Sequence, residues 1–407
     1  MGKFAKLTLS KKSYALLKLF LSLLALLALG VFIYVLYFTH VASETRVTIL
    51  ELNAIELGAE NAYLKEKLAK NIVELTELQN EDQYKVNISL KKKISDIERT
   101  YGKAVSVYEE LLKLKEIANN TKAYDGQYTK SLIHLADQNY EEADKTLTDL
   151  RAQITTETQK VVSSFSIPAN VPTNNAPPDS GYSRQQVATD VGTFLVSMVA
   201  ADMSSTRVIV DTATNGDCGN DCAVLPLSDY VSRNGAFAGI NGTYFCPAAY
   251  PSCAGKTNSF DLLVLNKDKT YINSGNNVYS TNPAYIFSGG SARFVGQVLE
   301  WGRDTGVDGV ISNFPTLVQG GNVAFSGDSD PKKGGKGARS FVANKGSKVY
   351  IGVTSNVTVV ENAHVMKALG MENAMNLDSG GSTALWSGGY KFGPGRNIPN
   401  ALLFVKR

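Results

Sequence analysis

Histidine is scarce in this chain: its 407 residues include three, and none stands in a HExxH or Cys/His zinc spacing. A zinc hydrolase is therefore not expected. An excess of one charge is also missing, because 41 basic residues against 38 acidic ones leave a net charge of +3. Such a balance gives no general nucleic-acid footprint, and we expect no nucleic-acid partner. No nucleotide, haem or zinc motif occurs, while a divalent cation stays open as a cofactor.

A long apolar run near the start is what the chain does have. Residues 19–38 read LFLSLLALLALGVFIYVLYF and include no charge. At about 1.5 Å per residue, this run spans a hydrocarbon core of ~30 Å. Five lysines and no acid precede it. This asymmetry predicts a cytoplasmic basic tail at residues 1–18, a single-pass signal-anchor helix at residues 19–38, and an extracytoplasmic remainder at the cell membrane.

A cleaved signal peptide is the alternative for the same run. We disfavour it, because the apolar region of a signal peptide usually measures ~7–15 residues. In either case the residues that follow are exported.

Only four cysteines occur, and all lie between Cys218 and Cys253. Such clustering predicts local disulfides in an exported region or a metal knuckle in a cytoplasmic one, so export favours disulfides. Four cysteines allow three connectivities. We favour Cys218–Cys222 and Cys246–Cys253, because each of these loops is short and rich in turn residues.

Residues 44–160 show apolar spacing of three and four and are expected to form an all-α helical stalk. Leu50, Leu57, Leu64 and Leu78 share one heptad position. A parallel coiled coil, which would make the protein a homo-oligomer, and one amphipathic helix of a bundle explain this spacing about equally well. A linker rich in proline, serine and asparagine follows at residues 161–183.

From residue 184 to residue 407 the pattern changes to short apolar runs separated by glycine, asparagine and aspartate. This pattern predicts a mixed, strand-rich domain, so that the chain as a whole is of the α+β class. Helices are expected at residues 227–233 and 359–369. Strands are expected at residues 193–200, 207–212, 236–245, 261–266, 292–295, 309–311, 316–318, 348–353, 374–377 and 401–405.

The segment AMNLDSGGST at residues 374–383 is the first candidate for chemistry. Alternation along a strand places Asn376 and Asp378 on one face, and a carboxylate at a strand end suits acid–base work or sugar binding. A plain Asp-Ser-Gly-Gly turn is the alternative. The residues that follow can bind a ligand through backbone N–H groups and hydroxyls; they are Gly380, Gly381, Ser382 and Thr383.

Three other segments offer candidate ligand-binding groups. In INGTYF at residues 240–245, Asn241 would project from a strand and Gly242 would allow close approach of a ligand or a backbone. Arg339 follows a glycine-rich basic loop, and Arg396 precedes the last strand; a guanidinium suits phosphate or carboxylate. An ordinary strand and surface arginines are the alternatives. His364 is the one histidine of this region, so a Ser-His-Asp triad has weak support.

Taken in order, these segments resemble the phosphodiester glycosidase family, which includes the lysosomal uncovering enzyme and bacterial proteins described as exopolysaccharide-related. The resemblance covers roughly residues 187–407. Ser379 departs from the family pattern by replacing a glycine of the turn, and Thr354 stands where an Asp-Gly pair is common. The matching segments are NGTYF at 241–245, PTLV at 315–318 with Gly320, Arg339-Ser340, NLDSGGS at 376–382, and Arg396 with NAL at 400–402.

The resemblance implies a hydrolase that cleaves a sugar-1-phosphodiester, or a related glycosidic bond, in an envelope or exopolysaccharide glycan. Asp378 would then do acid–base or nucleophilic work, and Arg339 and Arg396 would hold the phosphate. Asn241 and Asn376 would bind sugar hydroxyls. The alternative is a catalytically inactive glycan-binding or envelope-organising protein that uses the same cleft.

Overall fold

The computed structural model describes residues 11–118, 120–277, 279–303 and 306–407. Residues 1–10, which form most of the expected cytoplasmic tail, lie outside the described residues. The chain divides into two compact units, Met1–Ile94 and Ser95–Arg407. The α+β class is confirmed, because the helices precede a region that is rich in strands.

The α-helices in the described part of the chain are α1 (Lys11–Asn80), α2 (Asp82–Ile117), α3 (Lys122–Ala136), α4 (Tyr140–Ser164), α5 (Leu227–Asn234), α6 (Ser274–Asn277), α7 (Pro331–Gly334) and α8 (Val359–Ala368). The strands are β1 (Gly181–Thr189), β2 (Gly192–Asp202), β3 (Thr206–Thr212), β4 (Ala238–Asn241), β5 (Val264–Leu265), β6 (Tyr271–Ile272), β7 (Ala284–Ser288), β8 (Ser291–Val295), β9 (Gly309–Ser312), β10 (Thr316–Gln319), β11 (Asn322–Val323), β12 (Gly337–Lys345), β13 (Lys348–Val357), β14 (Asn373–Asn376), β15 (Leu385–Ser387), β16 (Tyr390–Phe392) and β17 (Asn400–Lys406).

Helix α1 is the main element of the first unit and runs for 70 residues without a break. It includes the apolar run of residues 19–38, and by length and composition it can cross a membrane. The expected anchor and the first part of the expected stalk are therefore one continuous helix. Leucines of the expected heptads, such as Leu57 and Leu64, are more than half exposed.

Helices α3 and α4, and the part of α2 from Ser95 onward, belong to the second unit together with the strand-rich region. Buried side chains on α2 recur at spacings of three and four, at Ala104, Val107, Leu111 and Leu114. This spacing forms one apolar face, which packs against the hairpin of α3 and α4 around Leu147. Full burial of a leucine contributes ~1.5–3 kcal/mol, so this small core holds the three helices together.

The strands form three sheets in which every named pair is antiparallel. Their orders are β1-β2-β13-β12-β14-β10-β11, β16-β15-β4-β17-β3 and β6-β5-β9-β7-β8. Apolar residues from all three sheets meet in the main core, among them Val210, Tyr285 and Ile351. Helix α8 begins with a capping box between Thr358 and Glu361 and covers a second core on the seven-stranded sheet.

The structure differs from the expected strands most clearly at residues 236–245, where β4 ends at Asn241. A Cβ atom on Gly242 would lie 1.8 Å from Asn400 Oδ1, so this residue is packed against β17 and does not extend β4. Strands β1, β6, β7, β11, β12, β15 and β16 were outside the expected set. In the polar strand β1, pairing with β2 from Gly181 to Thr189 supplies the order that the residue pattern does not indicate.

The disulfide pairing is confirmed. Cys218 is bonded to Cys222 and Cys246 to Cys253, and the described cysteines include no free thiol. The second bridge closes the loop that follows β4, and a short 3₁₀ turn, Pro251–Cys253, lies within that loop.

Candidate functional site

Asp378 lies just beyond β14, where the seven-stranded sheet meets the five-stranded sheet that includes β4. Its backbone N–H donates to Gly242 O at 2.9 Å, which joins the end of β14 to the end of β4. Its carboxylate accepts hydrogen bonds from Ser379 N, at 2.8 Å, and from the Ser382 hydroxyl. Burial raises the pKa of Asp378 to about 7, although these hydrogen bonds and Arg396 oppose the rise.

The glycine turn after Asp378 brings Arg396 into the site. Arg396 N donates to Gly381 O at 2.7 Å, so the segment before β17 lies along the turn. The guanidinium stacks over the Tyr250 ring, 5.3 Å from its centroid. Gly380 has a φ of +66°, which a glycine adopts without strain.

Helix α2 supplies a second carboxylate to the same place. Glu116 forms an ion pair with the Arg396 guanidinium and accepts a backbone hydrogen bond from Gly381. Burial raises the pKa of Glu116, while Arg396 and Gly381 oppose the rise. We call the guanidinium of Arg396 and the N–H group of Gly381 the anion subsite, because both donate to one carboxylate.

Asn241 lies at the end of β4 and is fully buried. Its Nδ2 donates to Asp378 O at 2.6 Å, and its Oδ1 accepts from Ser340 Oγ at 2.8 Å and from Ala384 N at 3.1 Å. The amide therefore ties together three segments that surround the carboxylate of Asp378. The structure thus gives Asn241 a positioning role, with both amide atoms bound by protein groups.

Asn376 is buried at the end of β14, two residues before Asp378. Its Nδ2 donates to Tyr244 Oη and to Leu377 O, both at 2.7 Å. Its Oδ1 has no hydrogen-bond partner among the described residues, and the same holds for Thr383 Oγ1. Burial raises the pKa of Tyr244, which is therefore a neutral hydroxyl at neutral pH.

Arg339 lies in β12, within electrostatic range of Asp378. Its guanidinium donates to Lys332 O at 2.8 Å and to Gly335 O, while Nε donates to Val357 O at 3.3 Å. These bonds hold the glycine-rich loop against the sheet. Burial lowers the pKa of Arg339, and the nearby carboxyl groups of Asp330 and Asp378 oppose that change.

A cavity of about 380 Å³ opens beside the anion subsite. Its walls come from helix α2, from the loop closed by the second disulfide, and from the segment before β17. Most of the wall is apolar, and its charged residues are the paired Glu116 and Arg396. The lining residues include Leu112, Glu116, Phe245, Pro247, Tyr250 and Arg396.

His364 lies away from this cluster, on α8, and its Nδ1 is 2.7 Å from Asp190 Oδ1 at the surface. Within the described ranges, no three His, Cys, Asp or Glu side chains converge as a metal site would require.

The structure thus brings Asp378, Arg396 and the glycine turn together and places Arg339 and Tyr244 within electrostatic range of Asp378. The lining of the cavity includes Arg396 but not Asp378. A buried carboxyl group with a raised pKa near a cation is typical of functional sites in hydrolases. The fold and the site therefore mark this region as a candidate hydrolase.

The family comparison agrees with this class. Residues 234–405, less than half of the chain, match the family described as phosphodiester glycosidase. The resemblance seen in the motifs is confirmed for this part of the chain, which is similar to the hydrolase domain that this family model describes. None of the curated proteins matches the chain.

Solved structures give two further comparisons. A hypothetical protein from Synechocystis is 14% identical, with coverage of 56% of this chain and 62% of that chain and a TM-score of 0.39. This chain thus spans less than two thirds of that protein. The catalytic domain of zebrafish N-acetylglucosamine-1-phosphodiester alpha-N-acetylglucosaminidase, auto-inhibited by its pro-peptide, is 15% identical. There the coverage is 58% of this chain and 87% of that chain, with a TM-score of 0.43.

Glu116 is the site residue that sequence reasoning missed. It lies in the run EELLKLKEIA of residues 109–118, where a glutamate is an ordinary helix-surface residue. The available signal was its spacing from Glu109 and Leu112, which places the three side chains on one face of α2.

Proposed function

We propose that the protein is a membrane-anchored hydrolase that cleaves a sugar-1-phosphodiester, or a related glycosidic bond, in an envelope or exopolysaccharide glycan. The observation that supports this most directly is the Asp378 carboxyl group, whose pKa burial raises to about 7 near Arg396. A carboxyl group with this pKa is protonated in many molecules at neutral pH and can donate a proton to a leaving oxygen.

In this proposal a water molecule adds to the sugar carbon and releases a proton to solvent, the bond from that carbon to the phosphate oxygen breaks, and Asp378 donates a proton to the leaving oxygen as general acid. The leaving group is a phosphomonoester, and the anion subsite stabilises its charge through Arg396 and Gly381. Charge stabilisation matters more than proton donation here, because a phosphate is already a good leaving group.

The other predicted site residues have supporting roles in the proposal. Asn241 holds the main chain of Asp378, and Arg339 holds the basic loop at the edge of the site. Asn376 would bind a sugar hydroxyl through Oδ1, the atom without a described partner. Thr383 would act in the same way, while Ser382 orients the carboxyl group of Asp378.

The location of the protein is part of the proposal. Helix α1 would anchor the chain with its N-terminus in the cytoplasm, as the lysines before the apolar run favour. Two disulfides suit an extracytoplasmic second unit. The exposed leucines of α1 leave open the coiled coil through which copies of the chain would associate.

The test is turnover by the full chain in detergent micelles. A panel of sugar-1-phosphodiesters and matched neutral glycosides is incubated with the protein, and released sugar and phosphomonoester are measured. We expect release from the phosphodiesters. Arg396→Lys keeps the charge but loses the planar guanidinium, so it should slow the phosphodiesters more than the neutral glycosides.

The matched control is Arg207→Lys on β3, where the arginine is exposed and outside the site. It should leave both substrate classes unaffected. Binding of glycans without release, across the panel, would contradict hydrolysis and support the glycan-binding alternative.

A further inference from the structure

One face of helix α2 lies against the strand-rich region of the same compact unit. Glu109, Leu112, Lys113 and Glu116 are spaced by three, one and three residues, which is the spacing of a single helix face. Glu109 accepts a hydrogen bond from Ser252 N at 3.1 Å, in the loop of the second disulfide. Leu112 and Glu116 line the cavity, and burial lowers the pKa of Lys113.

At the end of this face, Glu116 fills the anion subsite. Its carboxylate contacts the Arg396 guanidinium and the Gly381 N–H group. The fit is so close that a Cβ atom on Gly381 would lie 2.3 Å from Glu116 Oε1, and one on Gly380 would lie 3.0 Å from Oε2. A side chain at either glycine would compete with the carboxylate for this space.

A carboxylate and a phosphate compete for such a position, because both accept hydrogen bonds from the same guanidinium and backbone donors. While Glu116 is in place, Arg396 is neutralised, and an anion from solution meets a carboxylate where it needs a cation. Discrimination among ligands often depends on such a repulsive group as well as on attractive contacts.

We propose that Glu116 is a specificity-determining residue: it occupies the anion subsite in the absence of substrate, and an anionic ligand binds there only by displacing it. The inference rests on the proposed function, in which this subsite receives the phosphate of the substrate. Free phosphate and small sugar phosphates are then disfavoured, since they lack the additional contacts with the cavity that compensate for displacing Glu116.

Two features make the displacement feasible. Glu116 is the penultimate residue of α2, which ends at Ile117, so its side chain can rotate away without opening a helical turn. Burial also disfavours its charged form, and a return to water recovers the hydration of the carboxylate.

The test measures binding of inorganic phosphate and of glucose 1-phosphate by calorimetry, with the full chain in detergent micelles. Glu116→Gln removes the charge and keeps the shape. We expect phosphate to bind about tenfold more tightly or better, which is the effect of one charged hydrogen-bond competitor. In turnover assays the KM for a sugar-1-phosphodiester should fall.

The matched control is Glu109→Gln, on the same helix face, whose carboxylate contacts Ser252 and not Arg396. It should leave the phosphate affinity unchanged. Glu116→Asp keeps the charge but shortens the side chain by one carbon, and we expect an intermediate affinity. That variant also provides a folded reference if Glu116→Gln is poorly folded.

Equal phosphate affinities in the wild-type chain and Glu116→Gln would overturn the inference. So would a large fall in kcat with an unchanged KM, which would make Glu116 a catalytic residue. If phosphate affinity rises in Glu116→Gln but neither chain hydrolyses any phosphodiester, the competition stands and the proposed function fails. If turnover occurs and the affinity does not change, the competition alone fails.

Discussion

At the scale of single residues, burial changes the acid–base behaviour of Asp378. In water its carboxyl group would be ionised at pH 7, but the surrounding sheets remove the water that stabilises the charge. Ser379 N and the Ser382 hydroxyl reduce this effect without cancelling it. The balance leaves a group that can exchange a proton near neutral pH, which an aspartate on the surface does not do.

Asp378→Asn should lower turnover of a sugar-1-phosphodiester by a factor of ~10²–10⁴, because the amide cannot donate a proton as an acid does. In the wild-type chain, turnover should fall as pH rises above about 7, since the protonated form of Asp378 is lost there. Asp190→Asn, in the surface pair with His364, is the control and should leave turnover unchanged. Unchanged turnover in Asp378→Asn would contradict the assignment.

The raised pKa of Asp378 should also be visible in the free energy of unfolding. The folded state holds the proton up to about pH 7, and the unfolded state releases it near pH ~3.9, so stability falls as pH rises through this window. Relative to Asp378→Asn, the wild-type chain should lose on the order of 4 kcal/mol between pH 4 and pH 8. Denaturant unfolding at these two pH values measures the difference, and parallel pH curves for the two chains would refute it.

Gly242 is a second residue whose neighbours decide what can replace it. In Gly242→Ala, the added methyl group would collide with Asn400 Oδ1, which accepts the Thr243 N–H at 2.9 Å. We expect a loss of about 3 kcal/mol of stability, from overpacking and a broken hydrogen bond. Gly126→Ala, in α3 with nothing within 4 Å, should instead stabilise the chain by up to ~1 kcal/mol. Thermal unfolding compares the two, and equal effects would be inconsistent with this packing.

At the scale of elements, the site is assembled from ends of strands and from one helix face. Strands β4 and β14 belong to different sheets, and their ends are joined by the hydrogen bond from Asp378 N to Gly242 O. The loop between Cys246 and Cys253 and the last turns of α2 add the outer wall. Loops on a rigid sheet commonly gather functional groups in this manner.

The second disulfide should therefore affect binding as well as stability. Replacing Cys246 and Cys253 by serine opens a loop with a sequence separation of 7, which should cost about 2 kcal/mol. Because Pro247 and Tyr250 line the cavity, KM for the substrate should also rise. Replacing Cys218 and Cys222 by serine removes a bridge that also closes a short loop, so the loss of stability should be similar, but KM should change less. Identical KM values in all three chains would argue against this role of the loop.

At the scale of the whole molecule, a long helix with an apolar run is joined in sequence to a disulfide-bonded, strand-rich domain. The first unit exposes the apolar side chains of α1, whereas the second unit encloses its cores between sheets and helices. A membrane around residues 19–38 would cover the apolar residues of that run.

The orientation of the chain gives a direct test. Five lysines before the apolar run predict a cytoplasmic N-terminus. Protease added to intact spheroplasts should digest the second unit and spare a cytoplasmic marker protein. Complete protection of the second unit, while the membrane stays sealed, would mean that the orientation is reversed.

The sequence by itself determined the features that depend on neighbouring residues. The apolar run, the two short disulfide loops and helices α5 and α8 follow from local composition and spacing. So does the order of the family motifs, including NLDSGGS with Asp378. These features can be predicted without knowing which distant segments of the chain are in contact.

Only the tertiary structure decided which groups share the site. Strands β1 and β12 depend on pairing with partners that their residues do not specify, and Asn241 proved to be bound within the protein. Glu116 and Arg396 are 280 residues apart, and no local pattern indicates their ion pair. The pKa of Asp378 likewise depends on the burial that the packed sheets impose, because the loss of hydration is a property of the assembled fold and not of the segment.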